Sequence, residues 1–145
     1  MAVTTAVCNS FKTEVLESEH DFGVSQQVFK IALYLTGATI NKSTTSYGTT
    51  QESSGTNYAA GGKKLAVAGQ LVTLETDTAC VDFANVSWQT ATITAKGAVI
   101  YNFSSSTKKK AVCVLNFGGN KTSTAGTFTV QFPAVTDTQA ILRIA

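Results

Sequence analysis

The chain has 145 residues, 43% of them hydrophobic and 14% charged, with a net charge of +2. That hydrophobic content excludes a disordered chain, and the length suffices for one domain with a sizeable core unaided by disulfides or metal. The mild charge, with no track of clustered Lys and Arg, argues against a nucleic-acid partner.

Charged residues fall well below the usual ~25%. Thr and Ser, roughly a quarter of the chain, take their place. A surface of hydroxyls suits a protein covered by neighbours, because burying Thr costs less than burying Lys. The opening Met1-Ala2-Val3-Thr4-Thr5 has no basic stretch followed by an apolar one, so no secretory leader is predicted. No run of 18 apolar residues predicts a membrane span. The cysteines, Cys8, Cys80 and Cys113, are odd in number and unpaired in spacing, which fits free thiols in a reducing cytoplasm.

Val7, Phe11 and Val15 recur at a spacing of four, with Leu16 beside them, and predict a helix over about 6–17. Thr4 or Thr5 can cap its start. Val28 to Leu35 is a near-continuous apolar run whose only charge is Lys30, the mark of a central strand. Residues 37–62 are dense in Thr, Ser, Gly and Asn. A structureless loop that long is uncommon in a compact domain, so with Tyr47 and Tyr58 as anchors it is read as an ordered excursion that touches a neighbour.

Strand signals then resume at short spacing. They are Leu65-Ala66-Val67, Leu71 to Leu74, Cys80 to Trp88, Ile93, Ala98 to Tyr101 and Ala111 to Phe117, with a bulge or bend at Lys96-Gly97 and a turn at Gly118-Gly119-Asn120. Lys108-Lys109-Lys110, after a run of Ser and Thr, reads as a solvated turn. In Thr127 to Phe132, Phe128, Val130 and Phe132 should face the core and Thr127, Thr129 and Gln131 the solvent. Pro133 ends that strand, and Ile141 to Ala145 forms the last. About eight strands and one short N-terminal helix predict an all-β chain, a β-sandwich or jelly roll, as one domain over 1–145.

The search for chemistry yields little. His20, the sole histidine, lies in Glu17-Ser18-Glu19-His20-Asp21, a charged stretch expected to be exposed. Nucleophilic catalysis would need it, and a metal would need more converging ligands than it has. Asp77, Asp82 and Asp137 are the non-helical acids, with nothing local to pair any two as a glycosidase would. Gly61-Gly62-Lys63-Lys64 and Gly118-Gly119-Asn120-Lys121 lack phosphate-loop spacing and read as turns. Trp88 is either a core-rim residue or a partner contact. No catalytic residue, metal or cofactor is assigned, and the chain is expected not to be an enzyme.

Several segments carry a resemblance: Thr4 to Glu14 followed by Phe29 to Tyr34, then Tyr58-Ala59-Ala60-Gly61-Gly62, Asp82-Phe83 before Trp88, Ala95 to Asn102, and Ala140 to Ala145. Over essentially its full length the chain resembles small virion structural proteins of tailed phages. The resemblance implies a place in a virion assembled in the host cytoplasm, and leaves head, neck and tail open. The leading expectation is a capsid decoration (cement) protein, a homo-oligomer binding between major capsid subunits and stabilising the head. The alternatives are a tail, neck or baseplate component, and a carbohydrate-binding β-sandwich with Trp88, Tyr47 or Tyr58 as stacking platform. Candidate partner contacts are Tyr47, Tyr58, Trp88, Thr4 and Thr5, with no nucleic acid and no membrane as partner.

Overall fold

A computed structural model describes residues 2–23, 27–104, 109–136 and 138–144. In chain order the elements are β1 (Ala6–Val7), α1 (Asn9–Leu16), β2 (Phe29–Tyr34), β3 (Lys63–Lys64), β4 (Val67–Glu75), β5 (Thr78–Phe83), β6 (Val86–Asn102), β7 (Ala111–Val130) and β8 (Leu142–Ile144). The chain is all-β, with eight strands and one short helix among the described residues. Two antiparallel sheets form a sandwich-like arrangement, one ordered β1-β7-β6-β2-β3 and the other β4-β5-β8.

The apolar run at β2 sits where its composition demands, between β6 and β3, with Phe29 opposite Asn102 and Tyr34 opposite Gly97. Alternate residues of a strand face opposite ways. One face of the larger sheet therefore carries Phe29, Ile31, Leu33, Ile100 and Cys113, and the other Ala32, Tyr34, Val99, Tyr101 and Val114. The first face meets the smaller sheet and the chain around α1: the Phe29 ring centroid lies 4.6 Å from that of Phe22 and 5.9 Å from that of Phe83. The second face is covered by the excursion at 37–62, whose Tyr47 ring stacks on Tyr101 at 4.8 Å. Because both faces are covered, Ala98 to Asn102 are all buried, with no alternation to betray a strand.

Two expected boundaries move. Cys80 to Trp88 divides into the end of β5 and the start of β6, which runs for 17 residues and whose register with β7 shifts between Ala95 and Gly97, where a bulge or bend is expected. Gly118-Gly119-Asn120 does not end a strand. Asn116 pairs with Gly97 and Lys121 with Ala95, so residues 117–120 bulge opposite the single Lys96 and β7 runs on to Val130. The alternation at its far end is as read, with Phe128 and Val130 buried and Phe132 packed against the core.

The helix is shorter than the spacing predicts. Ala6 and Val7 pair with Val114 and Cys113 as β1, and these ladder bonds outweigh helix propensity. Cys8 occupies the N-cap with no side-chain cap. Thr5 Oγ1 instead accepts a hydrogen bond from the Asn116 N–H at 2.8 Å, and the Thr4 N–H donates to the Ile40 carbonyl at 3.0 Å. Phe11 and Glu14 point inward, and Leu16, expected on the apolar stripe, is 86% exposed.

Candidate functional site

The excursion at 37–62 is ordered by one carboxylate. The Ser53 N–H donates to the Leu33 carbonyl at 2.8 Å and Ser53 Oγ to the Thr94 carbonyl at 2.7 Å, which ties the loop to β2 and β6. Beside them, Glu52 Oε1 accepts from the Tyr58 hydroxyl at 2.8 Å and the Gly61 N–H at 2.7 Å, and Oε2 accepts from the Tyr47 hydroxyl at 2.7 Å. Tyr101 donates to the Gly61 carbonyl at 2.6 Å and Tyr34 to the Gly48 carbonyl at 2.7 Å. All four tyrosines have pKa values raised above the ordinary 10, first through burial. Tyr101 is pushed up to about 12 by burial and then by the Glu52 charge. Tyr47 and Tyr58 thus turn their hydroxyls into the molecule, and Glu52, which the sequence did not single out, joins them.

Trp88 is 4% exposed and lies in the core, between Tyr58 at 5.8 Å and Phe128 at 6.2 Å. Thr4 and Thr5 are exposed, at the β1 edge of the larger sheet. The five contact candidates therefore do not form one surface. Tyr47 and Tyr58 share Glu52, and Tyr58 adjoins Trp88, while the two threonines stand at the opposite edge of the sheet from β3.

His20 is not in an exposed stretch: it is 5% exposed. Ser18 adopts φ 64°, and the Glu19 N–H donates back to the Glu14 carbonyl at 2.9 Å, so the chain reverses at the end of α1. His20 then lies against Phe11, with ring centroids 4.9 Å apart. Asn102, wholly buried, donates from Nδ2 to His20 Nδ1 at 3.2 Å and to Gln27 Oε1 at 2.5 Å. These bonds place the imidazole proton on Nε2, which faces Glu14 Oε2 at 3.7 Å.

Lys110, expected in a solvated turn, reaches Glu14 Oε2 at 3.2 Å and Glu19 Oε2 at 2.5 Å. The Glu19 carboxylate holds its pKa above the ordinary value against a smaller desolvation. Lys109 is exposed, with φ 59°, and Lys108 lies outside the described residues.

Burial lowers the His20 pKa, outweighing the Glu14 charge that raises it. The unfolded imidazole takes up a proton below about pH 6.5 and the folded one does not until lower pH, so stability falls as pH drops from 7 toward 5. Its slope is at most about 1.4 kcal/mol per pH unit. Thermal unfolding across that range should show this extra loss in the native chain and not in His20→Gln.

Among the described residues, the non-helical acids named above do not pair. Asp77 is exposed in the β4–β5 turn and Asp82 half-buried in β5. Five positions along an extended chain put them roughly 15 Å apart, too far to flank a glycosidic bond. Asp137 lies outside the described residues. Among the described residues, no three His, Cys, Asp or Glu side chains converge as a metal site. All three cysteines are buried and free, and burial pushes the Cys8 thiol up to about 11.

The remaining feature is an apolar groove. Val72, Val81 and Leu142 stand in register across the smaller sheet, as do Leu74, Ala79 and Ile144, so six apolar side chains share one face. Val81 and Leu142 are buried, but Leu74 is 70% and Ile144 67% exposed. Between this face and α1 lies a groove of about 390 Å³, floored by Phe11, Val15, Phe22 and Val81. Among the described residues, Lys12 and Arg143 are the charged ones that line it, and Leu16 lines it too. The sequence hides it because its members come from β1, α1, the segment after α1, β4, β5 and β8, whose adjacency no local pattern reveals.

No family model, no curated protein and no solved structure matches this chain.

Proposed function

We propose that this chain is a non-enzymatic structural protein of a tailed-phage virion, and that it acts as a decoration protein seated where major capsid subunits meet. The observation that carries this reading is the open apolar groove, lined in part by exposed Leu16 and Ile144, with exposed Leu74 on the same face of the smaller sheet. Large apolar side chains gathered on one exposed surface mark a place where another protein packs. Glu52 is engaged within the chain by two tyrosines and Gly61, and His20 Nδ1 by Asn102, while His20 Nε2 and Glu14 Oε1 lie buried with no hydrogen-bond partner among the described residues. The low charge, the Thr- and Ser-rich surface and the likeness of its segments to small phage structural proteins supply the virion. Many modest contacts repeated over a shell would add up to a stiffer head through avidity.

The deciding experiment is the copy number of the chain per purified virion, by quantitative mass spectrometry. On the order of hundreds of copies supports decoration of the head, and particles lacking the chain should then lose heat resistance. A dozen or fewer would move it to the neck, tail or baseplate. Its absence from virions would overturn the reading.

A further inference from the structure

We propose that Lys30, Lys64 and Lys109, gathered about the exposed ring of Phe103, form a docking site for an acidic segment of a partner protein. The site lies on the other face of the larger sheet from the groove, and it does not depend on the virion reading.

Lys30 is the one charge in β2, and by alternation it shares the face of Ala32 and Tyr34. Its ammonium lies over the Phe103 ring, 4.3 Å from the centroid. Lys64 stands directly opposite Lys30 in the ladder between β2 and β3. Like charges at facing positions repel and weaken a sheet. Lys109 brings a third charge: its ammonium is 5.9 Å from the same Phe103 centroid and 5.5 Å from that of Tyr47. Its backbone sits at φ 59°, which side chains seldom adopt, and the Tyr47 N–H donates to its carbonyl at 2.9 Å. Two ammonium groups thus share one ring, and a third faces them across a ladder. Among the described residues no carboxylate pairs with any of the three, since the ion pairs join Lys110 and His20 to Glu14 and Glu19. Glu52, bonded to Tyr47, is taken up by two tyrosines and Gly61.

This unneutralised charge selects the sign of the partner. The ring selects its class. Phe103 is 43% exposed, but a nucleobase or sugar stacking on it would have to displace an ammonium group. The ring edge carries the positive part of the aromatic quadrupole and favours carboxylate oxygens. The aliphatic stems of the lysines add apolar contact for a polypeptide. Three lysines on a chain of net charge +2 make no track for a phosphate backbone.

Fluorescence anisotropy of a labelled oligoglutamate of about 12 residues, mixed with the full chain at about 50 mM and about 500 mM salt, tests this. The native chain should bind at the lower salt and lose about tenfold in affinity at the higher. Lys30→Gln, Lys64→Gln and Lys109→Gln should each weaken binding about fivefold. Lys12→Gln and Lys121→Gln remove the same charge from exposed positions elsewhere and should leave binding unchanged. Relief of the facing charges means that Lys64→Gln should melt no lower than the native chain, so its lost affinity reports a contact and not a folding defect. Absence of binding at the lower salt overturns the site. Equal weakening by Lys12→Gln and Lys121→Gln does so too, because net charge alone would then explain the binding. An oligothymidylate of the same length held more tightly by the same three lysines would overturn the partner protein in favour of single-stranded nucleic acid. Self-association of the native chain that Lys64→Gln abolishes would overturn the separate partner in favour of a second copy.

Discussion

Replacing Glu52 with alanine should lower stability by about 3 kcal/mol, because three donors lose a charged acceptor at once. The Tyr47 hydroxyl, the Tyr58 hydroxyl and the Gly61 N–H all end on this carboxylate. In a chain of this length the loss corresponds to a melting temperature lower by roughly 10 °C. Glu52→Gln keeps an acceptor but no charge, and must turn one N–H bond toward a tyrosine, so it should cost about half as much. Tyr47→Phe removes one donor together with its need and should cost about 1 kcal/mol. Limited proteolysis provides the local readout: cleavage should appear within residues 37–62 of the Glu52→Ala protein, well below its melting temperature. A variant as stable and as resistant as the native chain would show that the tyrosine network does not hold the excursion.

Gly62→Ala should be the more damaging change. Gly62 has φ 77°, a region that side chains avoid, and a Cβ there would sit 1.7 Å from the Ile31 carbonyl oxygen and 2.6 Å from its carbon. Neither atom can yield without moving β2, the strand at the centre of the core. The close approach exists because the turn at 59–62, closed by the Gly62 N–H to the Ala59 carbonyl at 3.0 Å, must lay Lys63 against Ile31 as β3. The expected loss is about 4 kcal/mol or more, among the larger effects a single substitution produces. Chemical denaturation reads it as a lower midpoint. A reduced slope as well would mean that β3 and the excursion have already detached in the folded state. Gly48→Ala, where nothing lies within 4 Å of a Cβ, is the control and should change stability little.

What the sequence discloses here follows the range of the forces involved. The all-β class, the central strand at β2 and the alternation of Phe128, Val130 and Phe132 were legible because each is written in neighbouring residues. The turn at Gly61-Gly62 was legible for the same reason. Gly118-Gly119 misled because glycines serve a bulge as readily as a turn, and only the partner strand decides which. The helix start misled because Ala6 and Val7 are claimed by residues more than a hundred positions away. His20 misled because a charged neighbourhood in sequence became a buried one once Ser18 reversed the chain and Lys110 arrived to face Glu14 and Glu19. Of the contact candidates, the tyrosines were correctly seen as anchors of the excursion. Their common partner Glu52 was hidden, since an isolated acid in a Thr- and Ser-rich stretch looks like any solvated residue. The groove was hidden most completely. Leu74 and Ile144 become neighbours of Ala79 only through a sheet whose third strand is 60 residues beyond its second.

The order of the strands also sets a timetable. β6 and β7 form a hairpin of consecutive elements, and its pairings close over short stretches of chain. β2 must wait for β6, since Tyr34 meets Gly97 and Phe29 meets Asn102, and β1 must wait for β7. Ribosomes add roughly 5–20 residues per second, so the apolar strand Phe29–Tyr34 emerges several seconds ahead of the partner that will cover it. Pairings that span so much chain also form slowly once both strands exist. The newly made chain therefore passes through an interval in which its most aggregation-prone strand is finished and unprotected. Raising the chaperone supply in the producing cell should therefore raise the yield of folded chain without changing its melting temperature.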